Sequence, residues 1–263
     1  MWSYTLVEFV AFALFIACSV AAFKRGSWDL SFFLTSGVYG LLVELMFVHI
    51  AQGYEYGEFL VMAKGAPLWV AAGWAVIIYV CTRSTEGLSK SLISASVGAG
   101  LAAVTMDFAL DPVAEGEGWW HWKRASDFFG VSYDNFVGWI TIVSSFSLVA
   151  RFKDAWWMPL AALPVSVIFV GLFQFPLEWS YGLLGEGPVF MLLFTIACVT
   201  AFYERIRVAG LVRLAVPVVM YGLFVGVAVG TALTVIHPEL YGVFALAIGF
   251  GTFWATIPGV TDE

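Results

Sequence analysis

Ionisable side chains inside apolar stretches are the residues of this sequence best suited to chemistry. Glu44 lies well inside one such stretch, and His49 lies near its end. Asp107 and Asp111 lie at the end of another stretch, and a spacing of four residues places them on one face of a helix. A charged group in such a stretch is costly unless it is partnered or hydrated. We therefore expect the functional site to be built around Glu44, Asp107 and Asp111.

Carboxyl groups that meet in a dry pocket can act as acids at neutral pH. Desolvation and a neighbouring carboxylate both favour the protonated form. A carboxyl group that keeps its proton can serve as a general acid, and it could protonate an alkene. The resulting carbocation would need electron-rich walls, and an aromatic face stabilises a cation by roughly 0.5 to 2 kcal/mol.

Aromatic residues that could supply such walls are abundant. The sequence is 17% aromatic and contains 12 Trp. Five of them fall near the ends of apolar stretches: Trp119, Trp120, Trp122, Trp139 and Trp179. An aromatic belt at the membrane interface would give the same pattern, so both interpretations stay open.

The elements that must position these residues are membrane-spanning helices. Of the 263 residues, 61% are hydrophobic and only 12% are charged, against about 25% charged in soluble domains. The apolar runs are continuous and long enough for a hydrocarbon core of roughly 30 Å. Only helices and closed barrels satisfy the backbone there, and the absence of alternation favours helices. We therefore predict an all-α polytopic membrane bundle of eight or nine helices, forming a single domain over residues 1–263.

Nine candidate spans can be placed on the sequence. They lie at residues 4–23, 31–50, 66–81, 91–110, 135–150, 158–177, 187–203, 213–236 and 241–257. The first has no basic segment before it and no cleavage site after it, so we expect it to be retained rather than removed as a signal peptide. Glu178 follows the sixth span and His237 follows the eighth.

The distribution of Lys and Arg predicts the orientation. The connections after the odd-numbered spans hold nine of the 12 basic residues: Lys24, Arg25, Arg83, Lys90, Arg151, Lys153, Arg205, Arg207 and Arg213. The opposite face holds Lys64, Lys123 and Arg124. Basic connections face the cytoplasm. This bias predicts a multi-pass protein of the cell membrane, with the amino terminus outside, the carboxyl terminus in the cytoplasm and the candidate acids in the outer half of the bilayer.

Other classes of site receive little support from the sequence. The net charge is −7 and no basic tract indicates nucleic-acid binding. The three Cys (Cys18, Cys81 and Cys198) have no metal-site spacing. The longest predicted loop, residues 111–134, is rich in acids and Trp. Gly222, Gly226 and Gly230 allow close helix packing, either within one chain or in a homo-oligomer.

The order of several motifs resembles a known family. The motifs are Glu44, Gly53-Tyr54-Glu55-Tyr56-Gly57, Pro67-Leu68-Trp69 leading to Trp74, Asp107 with Asp111-Pro112-Val113-Ala114, Trp120-x-Trp122, Phe129-Gly130-Val131 and Asn135-Phe136-Val137-Gly138-Trp139. Together, over about residues 38–140, they resemble the carotenoid biosynthesis protein family of membrane carotenoid hydratases. Its members include the bisanhydrobacterioruberin hydratase and the hydratases of ψ-end carotenoids.

The resemblance implies the addition of water across a terminal carbon–carbon double bond of a carotenoid or another long isoprenoid. It implies that no redox cofactor is needed, and we assign no cofactor and no metal ligands. Asp107 or Asp111 would be the acid and Glu44 its partner, with the order of roles left open. The residues expected to contact substrate or water are Asn135, Trp119, Trp120, Trp122, Trp139, Tyr54, Tyr56, His49 and Glu178.

Several other functions remain open. A terpene or carotenoid cyclase or isomerase would use the same acid chemistry. A non-enzymatic subunit that binds lipid or pigment, or a transporter, would need only the apolar surface. A membrane prenyltransferase would need a second Asp-rich cluster for Mg²⁺, which the sequence lacks. A retinal-binding protein would need a Lys within a helix, and all five Lys fall in predicted loops.

Overall fold

The protein is described here by a computed structural model, which covers residues 2–86, 91–123 and 128–202. These residues form seven α-helices: α1 (Trp2–Arg25), α2 (Ser27–Met46), α3 (Leu68–Ser84), α4 (Leu92–Gly116), α5 (Tyr133–Ala150), α6 (Met158–Leu184) and α7 (Glu186–Phe202). Each coincides with one of the first seven predicted spans. The predicted spans at 213–236 and 241–257, His237 and the three spaced glycines lie outside the described residues.

Four of these helices are long and apolar enough to cross a membrane, namely α1, α2 with the turn that follows it, α4 and α6. The shorter helices α3 and α7 are also apolar. This mostly helical, apolar architecture fits a membrane protein. The predicted count of eight or nine spans is not confirmed.

Two helices run further than the sequence predicted. The fourth span was expected to end at residue 110, but α4 continues through Pro112 to Gly116, so Asp111 lies inside the helix and not at the start of a loop. Likewise α6 continues past Pro176 to Leu184, so Glu178 lies within it. In both cases the helix tolerates a proline, because neighbouring elements can satisfy the backbone groups that it frees.

The helices enclose a central space. α2, α3, α4, α5 and α6 contact one another in that order, and α6 also contacts α2, which closes a ring. α1 packs outside α2 and α3, and α7 packs outside α4, α5 and α6. Small residues let the helices approach closely, since a side chain added at Gly40 would overlap Trp74 and one added at Gly100 would overlap Ser144.

Short strands, which an all-α prediction omits, join the loops at one end of the bundle. β1 (Tyr54–Tyr56) follows α2, and β4 (Trp120–Trp122) follows α4; they pair antiparallel. The hairpin of β2 (Met62–Ala63) and β3 (Ala66–Pro67) lies between them in sequence. α1 supports these loops, because the Glu8 carboxylate accepts the N–H groups of Leu60 and Val61 at 3.1 and 3.4 Å. We call this end of the bundle the sheet end.

The opposite end, which we call the basic end, carries a network of charges. Asp29 accepts hydrogen bonds from Tyr79 at 2.9 Å and Arg25 at 3.2 Å, and it forms an ion pair with Arg83 at 2.5 Å. The Arg83 guanidinium also lies 4.7 Å from the centre of the Trp28 ring. Arg151 and Lys153 line the same polar cleft. Basic residues that the sequence placed on one face of the membrane therefore gather at one end, although the orientation of that end remains a prediction.

Candidate active site

A cavity of about 110 Å³ lies inside the helical ring at the sheet end. Its walls come from α2 to α6, and β1 and β4 contribute further lining residues. The cavity is mostly apolar but includes several carboxyl groups. It is therefore the place where the predicted acids and the predicted aromatic residues meet.

Glu44 is held on one wall by neutral donors. Its carboxylate accepts hydrogen bonds from Trp74 Nε1 at 2.6 Å, from the Tyr56 hydroxyl at 2.6 Å and from the Tyr54 hydroxyl. The two tyrosines lie two residues apart on β1, so their side chains share one face of the strand. Glu44 is only 6% exposed. The arrangement is that of an acceptor-only carboxylate, with no cation among its partners.

The tyrosines remain donors because their surroundings disfavour the phenolate. Burial raises the pKa of Tyr54 well above its ordinary value, and the negative charge of Glu44 raises it further. The pKa of Tyr56 is raised in the same way, by burial first and by Glu44 second. Both hydroxyls therefore keep their protons while they hold the glutamate.

Asp107 and Asp111 form a buried pair joined by Asn135. Asp107 is fully buried and Asp111 is 2% exposed. The side-chain nitrogen of Asn135 donates to Oδ2 of Asp107 at 2.6 Å and to Oδ2 of Asp111 at 2.5 Å. Because one nitrogen contacts both oxygens, the two carboxyl groups lie close together, and two like charges at this separation favour a single proton shared by the pair. Of the two, only Asp111 lines the cavity.

The local sequence explains how this pair is positioned. The two aspartates lie one turn apart on α4, as the spacing predicted. Asn135 lies in the first turn of α5, which Ser132 caps by accepting the N–H of Asp134 at 3.2 Å. The start of α5 therefore fixes Asn135 against the end of α4.

A second polar wall contains Glu178, which the sequence reasoning named, together with Asp134 and Gln174, which it missed. The Asp134 carboxylate accepts hydrogen bonds from Gln174 at 3.1 and 3.2 Å and from the Tyr181 hydroxyl at 2.8 Å. Asp134, Gln174 and Glu178 all line the cavity. Gln174, Glu178 and Tyr181 are spaced by four and three residues, which puts them on one face of α6. That spacing was the available signal, since a polar stripe on an apolar helix indicates a buried polar surface.

Aromatic rings line much of the remaining wall. Among the predicted residues, Trp120, Trp122 and Trp139 reach the cavity, as do Tyr54 and Tyr56. Trp69 and Trp74 also line it, although the sequence identified them only as parts of a motif. The rings contact one another, with 4.5 Å between the centroids of Trp74 and Trp139 and 4.8 Å between those of Tyr54 and Trp122.

His49, Trp119 and Trp179 lie near the ends of helices but outside the lining of the cavity. His49 belongs to a π-helical turn (Phe47–Ala51) after α2, and its exposed ring bonds to the Lys64 carbonyl at 2.6 Å. Trp119 is buried behind the wall, where it packs edge-on against Trp69. Trp179 is 70% exposed. None of the three lines the cavity, so a role in binding substrate there does not follow from their positions.

Comparison with known proteins identifies the family. The model of the family described as carotenoid biosynthesis protein matches residues 2–178. The chain belongs to the carotenoid biosynthesis protein family. The match extends well beyond residues 38–140, which carry the resemblance in sequence, and it reaches Glu178 on the last wall of the cavity. No curated protein and no solved structure matches this carotenoid biosynthesis protein significantly.

The carboxyl groups of this carotenoid biosynthesis protein do not gather in the pattern of a metal site. Within residues 2–86, 91–123 and 128–202, no group of three or more His, Cys, Asp or Glu is arranged to hold a metal ion. The described arrangement is instead a buried carboxyl pair beside an aromatic cavity, with three further carboxyl groups on its walls, those of Glu44, Asp134 and Glu178.

Proposed function

We propose that this member of the carotenoid biosynthesis family is a hydratase that adds water to a terminal carbon–carbon double bond of a long polyene. A role in carotenoid biosynthesis follows from the family. The observation that carries the reaction is the buried Asp107–Asp111 pair, which Asn135 holds together beside a mostly apolar cavity where one shared proton offsets the repulsion of two carboxylates.

The first step is protonation of the alkene. Asp111 lines the cavity, so its O–H bond breaks while a C–H bond forms on the less substituted alkene carbon. The positive charge then lies on the tertiary carbon. Asp107 and Asn135 stay behind Asp111 and stabilise its carboxylate, Asn135 through its 2.5 Å hydrogen bond. Proton sharing thus makes Asp111 an acid before the step and a stabilised anion after it.

The cavity wall then stabilises the cation. Glu44 presents a carboxylate whose charge no cation among its partners neutralises, because all three partners are neutral donors. The faces of the lining Trp residues add cation–π stabilisation of roughly 0.5 to 2 kcal/mol each. These groups are fixed before the reaction, so their stabilisation requires little reorganisation.

The size and polarity of the cavity fit a chain end with a water molecule. A volume of about 110 Å³ admits the end of an isoprenoid chain but not a whole polyene, so the remainder must extend between the helices into lipid. The buried indole N–H groups of Trp69 and Trp122 have no acceptor among the described residues. Water or a product hydroxyl in the cavity can supply that acceptor.

Expression in a bacterium that makes lycopene tests the proposal. Extracted pigments should gain the mass of one water, or of two if both chain ends react. The Asp111→Asn variant should leave the pigment unchanged, and Asp154→Asn in the cleft at the basic end serves as a matched control that keeps activity.

Other outcomes would select the competing functions. A new pigment of unchanged mass would indicate an isomerase or cyclase in place of a hydratase. A purified protein that holds carotenoid without converting it would indicate a binding subunit. Activity lost with EDTA and restored by Mg²⁺ would indicate prenyl-transfer chemistry.

A further inference from the structure

The wall formed by Asp134, Gln174 and Glu178 has no part in the protonation step described above. It lies on α5 and α6, while Glu44 lies on α2 and the proton-sharing pair on α4. Hydration needs two different functions, one that delivers a proton and one that binds water and takes a proton from it. The question is which carboxylate performs the second.

The hydrogen bonds to Asp134 are those of an ionised carboxylate that can accept one further hydrogen bond. Oδ1 accepts from Gln174 and Tyr181, and Oδ2 accepts from Gln174. An ionised carboxylate offers about four acceptor positions, so one position on Oδ2 stays open. None of the ion pairs formed within residues 2–86, 91–123 and 128–202 includes Asp134. Its place in the first turn of α5 also favours the negative form.

Exposure separates the α5–α6 wall from Glu44 and Asp111, which are 6% and 2% exposed. Asp134 and Gln174 are half-buried, and Glu178 on the same wall is exposed. Asp134 lies in the first turn of α5, at the sheet end, so water outside the bundle can reach the cavity there. Three hydrogen bonds hold the Asp134 carboxylate at the cavity, so water that enters can bind at its open position.

We infer that Asp134 is the group that binds the attacking water and accepts its proton, an inference that rests on the proposed hydratase function. The water oxygen forms a bond to the tertiary carbon, one O–H bond of the water breaks, and the proton passes to the Asp134 carboxylate. Asp134 then releases that proton to water on the wall, and the Asp107–Asp111 pair takes one up. The alkene and water become the tertiary alcohol, and the protein returns to its starting state.

Deuterium exchange separates the two proton-transfer steps. Purified protein in lipid vesicles is incubated with lycopene in heavy water, and both the alcohol product and the recovered lycopene are analysed by mass. In Asp134→Asn the cation still forms but is captured poorly, so it loses a proton and returns to alkene. We expect hydration to fall by about 100-fold or more, while recovered lycopene gains deuterium at its chain end.

Controls make the result specific. Asp111→Asn should lose both hydration and deuterium uptake, because no cation forms. Gln174→Leu removes two hydrogen bonds from Asp134 and replaces Asp134→Asn as the test if that variant does not fold. The rate of hydration by Gln174→Leu should fall about tenfold, while deuterium uptake stays intact. Asp154→Asn should behave as the unmodified protein.

Three results would overturn the inference. Full hydration activity in Asp134→Asn would remove Asp134 from the mechanism. If a folded Asp134→Asn variant lost both deuterium uptake and hydration, Asp134 would have only a structural role. Loss of hydration with retained deuterium uptake in Glu44→Gln, but not in Asp134→Asn, would assign the water to Glu44. An unmodified protein that neither hydrates nor exchanges lycopene would instead refute the proposed function.

Discussion

Glu44 and Asp29 are buried acids near the two ends of α2, roughly 22 Å apart along its axis, and each accepts a hydrogen bond from a tyrosine. Their other partners differ. Asp29 lies between Arg25 and Arg83, so its charge is neutralised within the basic end. Glu44 has only tyrosine and tryptophan donors. A carboxylate that is held in place but not neutralised still exerts an electrostatic field on its surroundings. At the sheet end those surroundings are the cavity that Glu44 lines.

The same contrast extends to the neighbouring aromatic rings. At the basic end the Trp28 ring packs against the guanidinium of Arg83, a cation that belongs to the protein itself. At the sheet end the rings of Trp74 and Trp139 pack together on the cavity wall, and no described cation occupies their faces. One end thus contains a cation of the protein itself, while at the other, on the proposed mechanism, the rings stabilise a cation that forms during the reaction.

Replacing the proton-sharing pair should have the largest effect. Asp107→Asn and Asp111→Asn should each lower hydration by at least about 100-fold, the usual contribution of a general acid, because neither variant can share a proton between two carboxyl groups. Product formation per folded molecule in vesicles measures this. Asp29→Asn is the matched change at the other end and should leave the rate intact. Full activity in both variants of the pair would remove them from the mechanism.

Removing the charge of Glu44 should have a smaller effect. Glu44→Gln removes the negative charge and replaces one acceptor oxygen with an NH₂ group that faces the hydroxyl and indole donors. The rate of hydration should therefore fall by about tenfold or more, which corresponds to about 1.4 kcal/mol in the activation barrier. The measurement is the turnover rate at saturating lycopene. A rate equal to that of the unmodified protein would mean that the aromatic rings alone stabilise the cation.

Much of the fold, and part of the site, could be predicted from the sequence because lipid imposes simple rules. Continuous apolar runs predicted each of the seven described helices, and a four-residue spacing placed Asp107 and Asp111 on one face. The sequence named Glu178 on the α5–α6 wall but not Asp134 or Gln174, because their contact depends on how α5 and α6 pack. His49 lies near the end of α2, as predicted, but the π-helical turn there leaves its ring facing the Lys64 carbonyl, which the sequence could not predict.

Breaking the network at the basic end should affect stability but not catalysis. Asp29→Asn leaves the half-buried guanidinium of Arg83 with Glu86 as its remaining carboxylate partner and should lower the free energy of unfolding by about 1–3 kcal/mol. A thermal unfolding curve in detergent measures the loss, with Asp154→Asn as the control. A fall in the rate per folded molecule would show that the two ends are coupled, and the contrast between them would then fail.

The orientation of the two ends can be tested without changing either of them. A short tag before α1 should be cleaved by protease added outside intact cells, and the rate of hydration should not change. The reason is the excess of Lys and Arg on the face that includes the basic end. A tag protected in intact cells but cleaved in lysed cells would invert the orientation and place the cavity near the cytoplasm.

The pairing of β1 with β4 has a consequence for how the protein is made. Tyr54 pairs with Trp122 and Tyr56 with Trp120, and both α3 and α4 lie between the two strands in the chain. A nascent chain that has inserted only its first helices can form the bonds between Tyr54, Tyr56 and Glu44, but the second strand does not yet exist. The paired strands β1 and β4, which form part of the cavity wall, can therefore assemble only after α4 has been synthesised and inserted. The cavity is thus completed late in biogenesis.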